Sequence, residues 1–147
     1  MTYTTGDTYS NVGLFGWIIF ATIKNLGLEN VSISSGGSYV GGLAGDNNGG
    51  TIINCYCIGT VSGISHVGGL VGENDSGSIT NCYADGPVSG QSQVGGLVGY
   101  HNSGPITACY ATGSVTGYFW AGRLMGYVGR WKSFFAFSSM CWGVGIC

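Results

Sequence analysis

Apolar and polar positions along this chain recur with a period of 27 residues. Val40-Gly41-Gly42-Leu43-Ala44-Gly45 returns as Val67-Gly68-Gly69-Leu70-Val71-Gly72 and as Val94-Gly95-Gly96-Leu97-Val98-Gly99, then in eroded form as Ala121-Gly122-Arg123-Leu124-Met125-Gly126. Asn54-Cys55-Tyr56, Asn81-Cys82-Tyr83 and Ala108-Cys109-Tyr110 keep the same spacing. A fixed period of this size predicts a solenoid, in which each unit buries its apolar face against its neighbours. Within a unit, Ser78-Ile79-Thr80-Asn81-Cys82-Tyr83-Ala84 alternates and is rich in β-branched and aromatic residues, the pattern of a strand. Gly59, Gly86 and Gly113, with Gly63, Gly90 and Gly117, supply bends at constant offsets. Two or three short strands with glycine corners predict an all-β fold, a parallel β-helix of about five coils.

Counted from Val40, the units are 40–66, 67–93, 94–120 and 121–147, so the chain is expected to end on a whole turn. Upstream, Gly13-Leu14-Phe15-Gly16 and Asn25-Leu26 correspond to Gly42-Leu43-Ala44-Gly45 and Asn54-Cys55 at a spacing of 29. The organisation expected is one solenoid domain: a diverged N-terminal repeat or cap (1–39), three regular repeats (40–120) and a degenerate aromatic repeat (121–147). The register predicts core columns Leu43/Leu70/Leu97/Leu124, Ile52/Ile79/Ile106 and Val61/Val88/Val115. Ala44/Val71/Val98/Met125 and Val40/Val67/Val94/Ala121 follow. Tyr56/Tyr83/Tyr110 form an aromatic ladder, continued by Phe137. Period-two alternation does not place both these tyrosines and the adjacent cysteines inside a straight strand, so one set faces out or the coil bends there. The reading leans to cysteine inside.

Composition narrows the partners. Four basic residues face six acidic ones, and the charged fraction is 7%, far below the roughly 25% of ordinary soluble domains. With no basic patch, nucleic acid is not an expected partner. Thirty glycines suggest disorder, but 44% apolar content and a strict period argue for an ordered chain. Leu14–Ala21 and Phe134–Cys147 fall short of the roughly 20 apolar residues that span a bilayer, so no transmembrane segment is expected. Met1–Asp7 lacks a basic start followed by an apolar core, which reads as no signal peptide: a mature chain, or a fragment with an added Met.

Cys55, Cys82 and Cys109 share one repeat position, and Cys57 occupies the place of Ala84 and Ala111, which implies a tight interior column. Neighbouring coils lie about 4.8 Å apart, within reach of a disulfide, but side chains in a parallel ladder point the same way. Buried thiols are favoured over partial bridging. Cys141 and Cys147 break the period and are the better candidates for a bridge, within or between chains. No C-x-x-C pair supports zinc. In the last unit, bulky Trp131, Phe134, Phe135 and Trp142 suit either an aromatic cap over the final coil or a subunit contact, with membrane-surface insertion a lesser alternative.

Each unit is expected to carry a polar turn after its Gly-Leu-Val-Gly element: Asp46–Gly50, Glu73–Gly77 and Tyr100–Gly104. Stacked oxygens there offer a calcium site, but the third lacks a carboxylate, and Asn, Asp and Gly are what turns require for themselves. His66 and His101 have period-mates Gln93 and Asn74 and read as polar substitutions. Glu73, Asp75 and Asp85 are the only carboxylates in one unit that offer an acid–base pair, with no basic residue in their coil. The Gly-Gly-Leu-Val-Gly element lacks the lysine and helix of a phosphate loop. No catalytic, metal or cofactor residue is therefore assigned.

These residues resemble the GLUG motif family, named for its Gly-Leu-Xaa-Gly core. Gly69–Asn74, Gly77–Ala84 and Gly86–Gly90 carry its pattern, over about residues 13–117. The resemblance implies β-helical architecture, an extracellular or cell-surface setting in bacteria or archaea, and adhesin-like parents, with no catalytic residues to carry over. Open-ended repeats and low charge lead to a non-catalytic structural protein that assembles with itself into a filament, through Trp131, Phe134, Phe135 and Trp142. The alternative is an adhesin or stalk module offering Tyr56, Tyr83 and Tyr110 to a glycan or host protein. A carbohydrate-active enzyme is the remote third.

Overall fold

A computed structural model describes residues 1–5, 8 and 10–129. Trp131, Phe134, Phe135, Phe137, Cys141, Trp142 and Cys147 lie outside the described residues. The fold is a parallel β-solenoid of about five turns, about 27 residues apart, with no helix among the described residues. The coils described in full have four sides, one more than the glycine spacing alone suggests. The first sheet stacks Ser38–Gly41, Ser65–Gly68, Ser92–Gly95 and Phe119–Gly122. The second stacks Phe15–Ile19, Ala44–Asn48, Val71–Asp75, Val98–His101 and Met125–Val128, one strand for each of coils one to five. The third holds Thr22–Lys24, Thr51–Ile53, Ser78–Thr80 and Ile106–Thr107. The fourth runs from Thr2–Thr5 through Gly27–Ser35, Tyr56–Ser62 and Tyr83–Asp85 to Tyr110–Ala111, with Val88–Ser89 and Val115–Thr116 along its flank.

The corners explain the extra side. Between the third and fourth sheets, Asn25, Asn54, Asn81 and Ala108 all take left-handed backbone, with φ of 56°, 53°, 52° and 52°. Asparagine tolerates that conformation because its short side chain bonds locally. Here it bonds along the axis: Asn81 Nδ2 donates to Asn54 Oδ1 (3.3 Å) and Asn54 Nδ2 to Asn25 Oδ1 (3.1 Å). A second left-handed column sits inside the first sheet, at Tyr39, His66, Gln93 and Trp120. It breaks the alternation, so that two successive residues, such as Val67 and Gly68, are both buried. The Gly-Gly-Leu-Val-Gly element then turns sharply into the second sheet. A Cβ on Gly69 would collide with the Gly96 carbonyl and stand 2.9 Å from Ala84 Cβ.

The predicted columns form the core. Leu43, Leu70, Leu97, Ile52, Ile79, Val61, Val88, Val67, Val71 and Val94 are buried, each contributing roughly 1.5–3 kcal/mol of transfer free energy. The lower positions of those columns, Ile106, Val115 and Leu124, are only half-buried. In the first unit, the two additional residues are placed at separate points. Register runs at Leu28↔Cys57, shifts to Val31↔Gly59 across a bulge at Glu29-Asn30, and reaches Ser38↔Ser65 after the corner Ser35–Gly37. One further difference concerns the polar segments. Asp46–Asn48 and Glu73–Asp75 are strand residues, and the turns begin only at Gly49 and Ser76.

Candidate binding faces

The left-handed corner at Asn54 and Asn81 decides which ladder faces out. It turns Cys55 and Cys82 into the core, each 1% exposed, and delivers the next residue, tyrosine, to the outer side of the fourth sheet. Tyr56 and Tyr83 stack with ring centroids 4.9 Å apart and 7° between planes, and Tyr83 and Tyr110 at 5.0 Å and 2°. This close stacking hides most of each ring's π-face. Gly27 lies so close beneath Tyr56 that a Cβ there would strike its ring. The ladder therefore offers ring edges and a row of phenolic hydroxyls rather than flat platforms. Tyr56 Oη donates to Glu29 Oε1 (3.1 Å), and that carboxylate, as acceptor and as charge, holds the phenol above its usual range.

The thiol column is structural in its hydrogen bonding. Cys55, Cys57, Cys82 and Cys109 are free thiols. At the corner, the Cys55 N–H donates to Cys82 Sγ and the Cys82 N–H to Cys109 Sγ, both at 3.4 Å. The thiols donate in turn to the carbonyls of Ile53, Thr80 and Thr107, each at 3.2 Å. Sulfur thus satisfies backbone donors that the corner takes out of the strand ladders. Cys57 packs under Gly42, as Ala84 does under Gly69 and Ala111 under Gly96, and burial pushes its thiol up to about 11.

Sequence reasoning missed a seam where two outward columns meet. Tyr39, His66, Gln93 and Trp120 come from the first sheet; Trp17, Asp46, Glu73, Tyr100 and Tyr127 come from the second. His66 stacks on Tyr39 at 4.6 Å, meets Tyr100 edge-on at 5.1 Å, and places Nε2 4.0 Å from Glu73 Oε2. Tyr127 stacks on Tyr100 and takes Trp120 edge-on. Burial raises the Asp46 carboxyl to about 6, aided by Asp75 and opposed by a hydrogen bond from Trp17. Burial, then Asp46 and Asp75, raise Glu73 to about 7. Period-mates with alternation read across the Gly-Gly corner would have shown these columns, but the left-handed residue hides the phase.

The three carboxylates of the third unit do not converge. Glu73 stays in the seam, Asp75 Oδ1 accepts from Asn102 Nδ2 (2.8 Å), and Asp85 Oδ1 accepts from Thr112 Oγ1 on the fourth sheet (2.7 Å). The second residue of each polar segment points inward: Asn47 and Asn74 are fully buried and His101 nearly so. Among the described residues, no cluster of three or more His, Cys, Asp or Glu side chains is placed to hold a metal. Nor is any described helix long and apolar enough to cross a membrane.

The model of the GLUG motif matches residues 63–89 and 90–116, two adjacent repeats in register with the coils. Residues 63–116 carry two GLUG repeats. This is a structural repeat type and not a known enzyme family. Comparison with curated proteins and with solved structures returned no match in either case.

Proposed function

We propose that this GLUG solenoid is a non-catalytic adhesin or stalk module, extracellular or on a cell surface, that contacts a glycan or host protein along its fourth sheet. What supports the reading is the outward tyrosine ladder, whose hydroxyls recur at the coil spacing and so match a ligand that is itself repetitive. Hydroxyl edges favour hydrogen bonding to a linear polar polymer over ring-on-ring stacking. Binding to an array of polysaccharides and matrix proteins tests it. Replacing Tyr56, Tyr83 and Tyr110 together by Phe keeps the stack and removes the hydroxyl row, and is expected to weaken binding at least tenfold. Unchanged binding by that variant, or no ligand across the array, would count against the module.

A filament is the second reading. It is favoured by the first coil, where Trp17, Ile19 and Phe20 are exposed and the outer edge of Phe15–Ile19 has no partner strand among the described residues. Electron microscopy of the purified chain separates the two: uniform filaments support assembly, and monodisperse short particles oppose it.

A further inference from the structure

Inside the second sheet runs a polar ladder with apolar ends. Its rungs, one per coil, are Ile18, Asn47, Asn74, His101 and Val128. Asn47 Nδ2 donates to Asn74 Oδ1 (2.7 Å) and reaches the Gly50 carbonyl (3.3 Å). Asn74 Nδ2 reaches the carbonyls of Gly77 (2.9 Å) and Ser103 (3.2 Å) and lies 3.2 Å from His101 Nδ1. Two carbonyl neighbours fix that amide nitrogen as a donor. His101 Nδ1 is then an acceptor, and the imidazole proton belongs on Nε2. Gly104 stands where Gly50 and Gly77 stand in the turns that Asn47 and Asn74 close, and its backbone favours the charged ring.

Only a neutral imidazole fits this rung. A proton on Nδ1 would set N–H against N–H at a site 8% exposed, with no carboxylate to receive it. We propose that His101 is an acid-sensitive latch between the third and fourth coils, closed when neutral and opened by protonation at Nδ1. The titratable groups on the strands packed around it are Tyr39, His66, Glu73, Asp75, Tyr100 and Tyr127, of which Tyr39 and His66 stack on each other in the outward seam. Alternation puts Glu73, Tyr100 and Tyr127 on the outer side of their strands, and Asp75 is held by Asn102.

Burial also draws the imidazole below its usual range, against a smaller opposing effect of the Gly104 bond. A histidine with a lowered folded value contributes stability that is complete above about pH 6.5 and is lost as pH falls toward that folded value. Asp46 and Glu73 act in the opposite sense. Their raised values favour the fold below about pH 4 and lose that contribution as pH rises to about 6 and 7. A whole-molecule melt therefore mixes two opposed slopes, and a local readout is needed.

The experiment is hydrogen exchange of the full chain, read at the amide of Asn102, which bonds to the Asn74 carbonyl across the latch, and at that of Gly129, which bonds to the His101 carbonyl one coil further on. After correction for intrinsic exchange, protection there is expected to fall by up to about tenfold per pH unit below neutrality. His101→Asn, the residue of its period-mate, should remove that dependence, while His66→Gln should keep it. Nitrogen NMR of the wild-type ring gives an independent check, with the proton expected on Nε2 at pH 7.5. A proton on Nδ1 at that pH, or an acid-driven loss that persists in His101→Asn, would overturn the latch. If His101→Asn does not fold, the wild-type ring spectrum alone decides.

Discussion

The middle coils and the first coil are built from the same letters, yet they differ in how far they commit to the register. From Ser38 to Gly95 the strand ladders between the middle coils all run at one unit, and Leu43, Leu70 and Leu97 are completely buried. In the first coil the equivalent Leu14 is 42% exposed, two additional residues interrupt the ladder, and Trp17, Ile19 and Phe20 face out. A coil in the middle has a neighbour above and below, so each residue is covered twice. In the first coil, Phe15–Ile19 has one neighbouring strand among the described residues. Stability in this chain therefore depends on position along the axis more than on residue type.

That contrast is sharpest at glycine. Gly69→Val places a branched side chain against the Gly96 carbonyl, Ala84 Cβ and Val88 Cγ2, in a site bounded by backbone. The expected loss is about 4 kcal/mol or more, seen as loss of the cooperative unfolding transition. Gly16→Ala meets only the Asn11 carbonyl, at 3.0 Å, and should unfold close to wild type. Equal effects at the two sites would break the comparison.

Leucine gives the next largest difference. Leu70→Ala should destabilise by about 2–5 kcal/mol in denaturant titration, because the coils above and below hold the cavity open. Leu14→Ala should stay within about 0.5 kcal/mol. A stabilising change is the smallest. Ala108 takes a left-handed backbone at the position where other coils carry asparagine. Ala108→Asn should relieve that strain and lengthen the Asn25–Asn54–Asn81 ladder, for a gain of about 1 kcal/mol in the same titration.

Much of this was legible in the letters. The 27-residue period specifies the solenoid and its apolar columns because side chains one unit apart must stack. The sequence favours cysteine inward and tyrosine outward only weakly, since two adjacent residues cannot be phased until the bend beside them is known. The bend is the left-handed Asn54, which reads in sequence as an ordinary turn residue. The seam at Glu73 and the buried Asn47/Asn74/His101 ladder were hidden for a related reason. Asp-Asn-Asn-Gly-Gly has the composition of a turn, and nothing local reveals that its first asparagine points into the core, where the neighbouring coil completes its hydrogen bonds.

The inward thiols and outward phenols carry both the fold and the proposed binding face, and paired chemical labelling of the native chain tests them together. Mass spectrometry would follow tyrosine nitration and thiol alkylation residue by residue, before and after denaturation. Tyr83 and Tyr110 should nitrate in the native chain, while Cys55, Cys57 and Cys82 stay unalkylated until the coils unfold. Native alkylation of those three thiols alongside protected tyrosines would contradict the account.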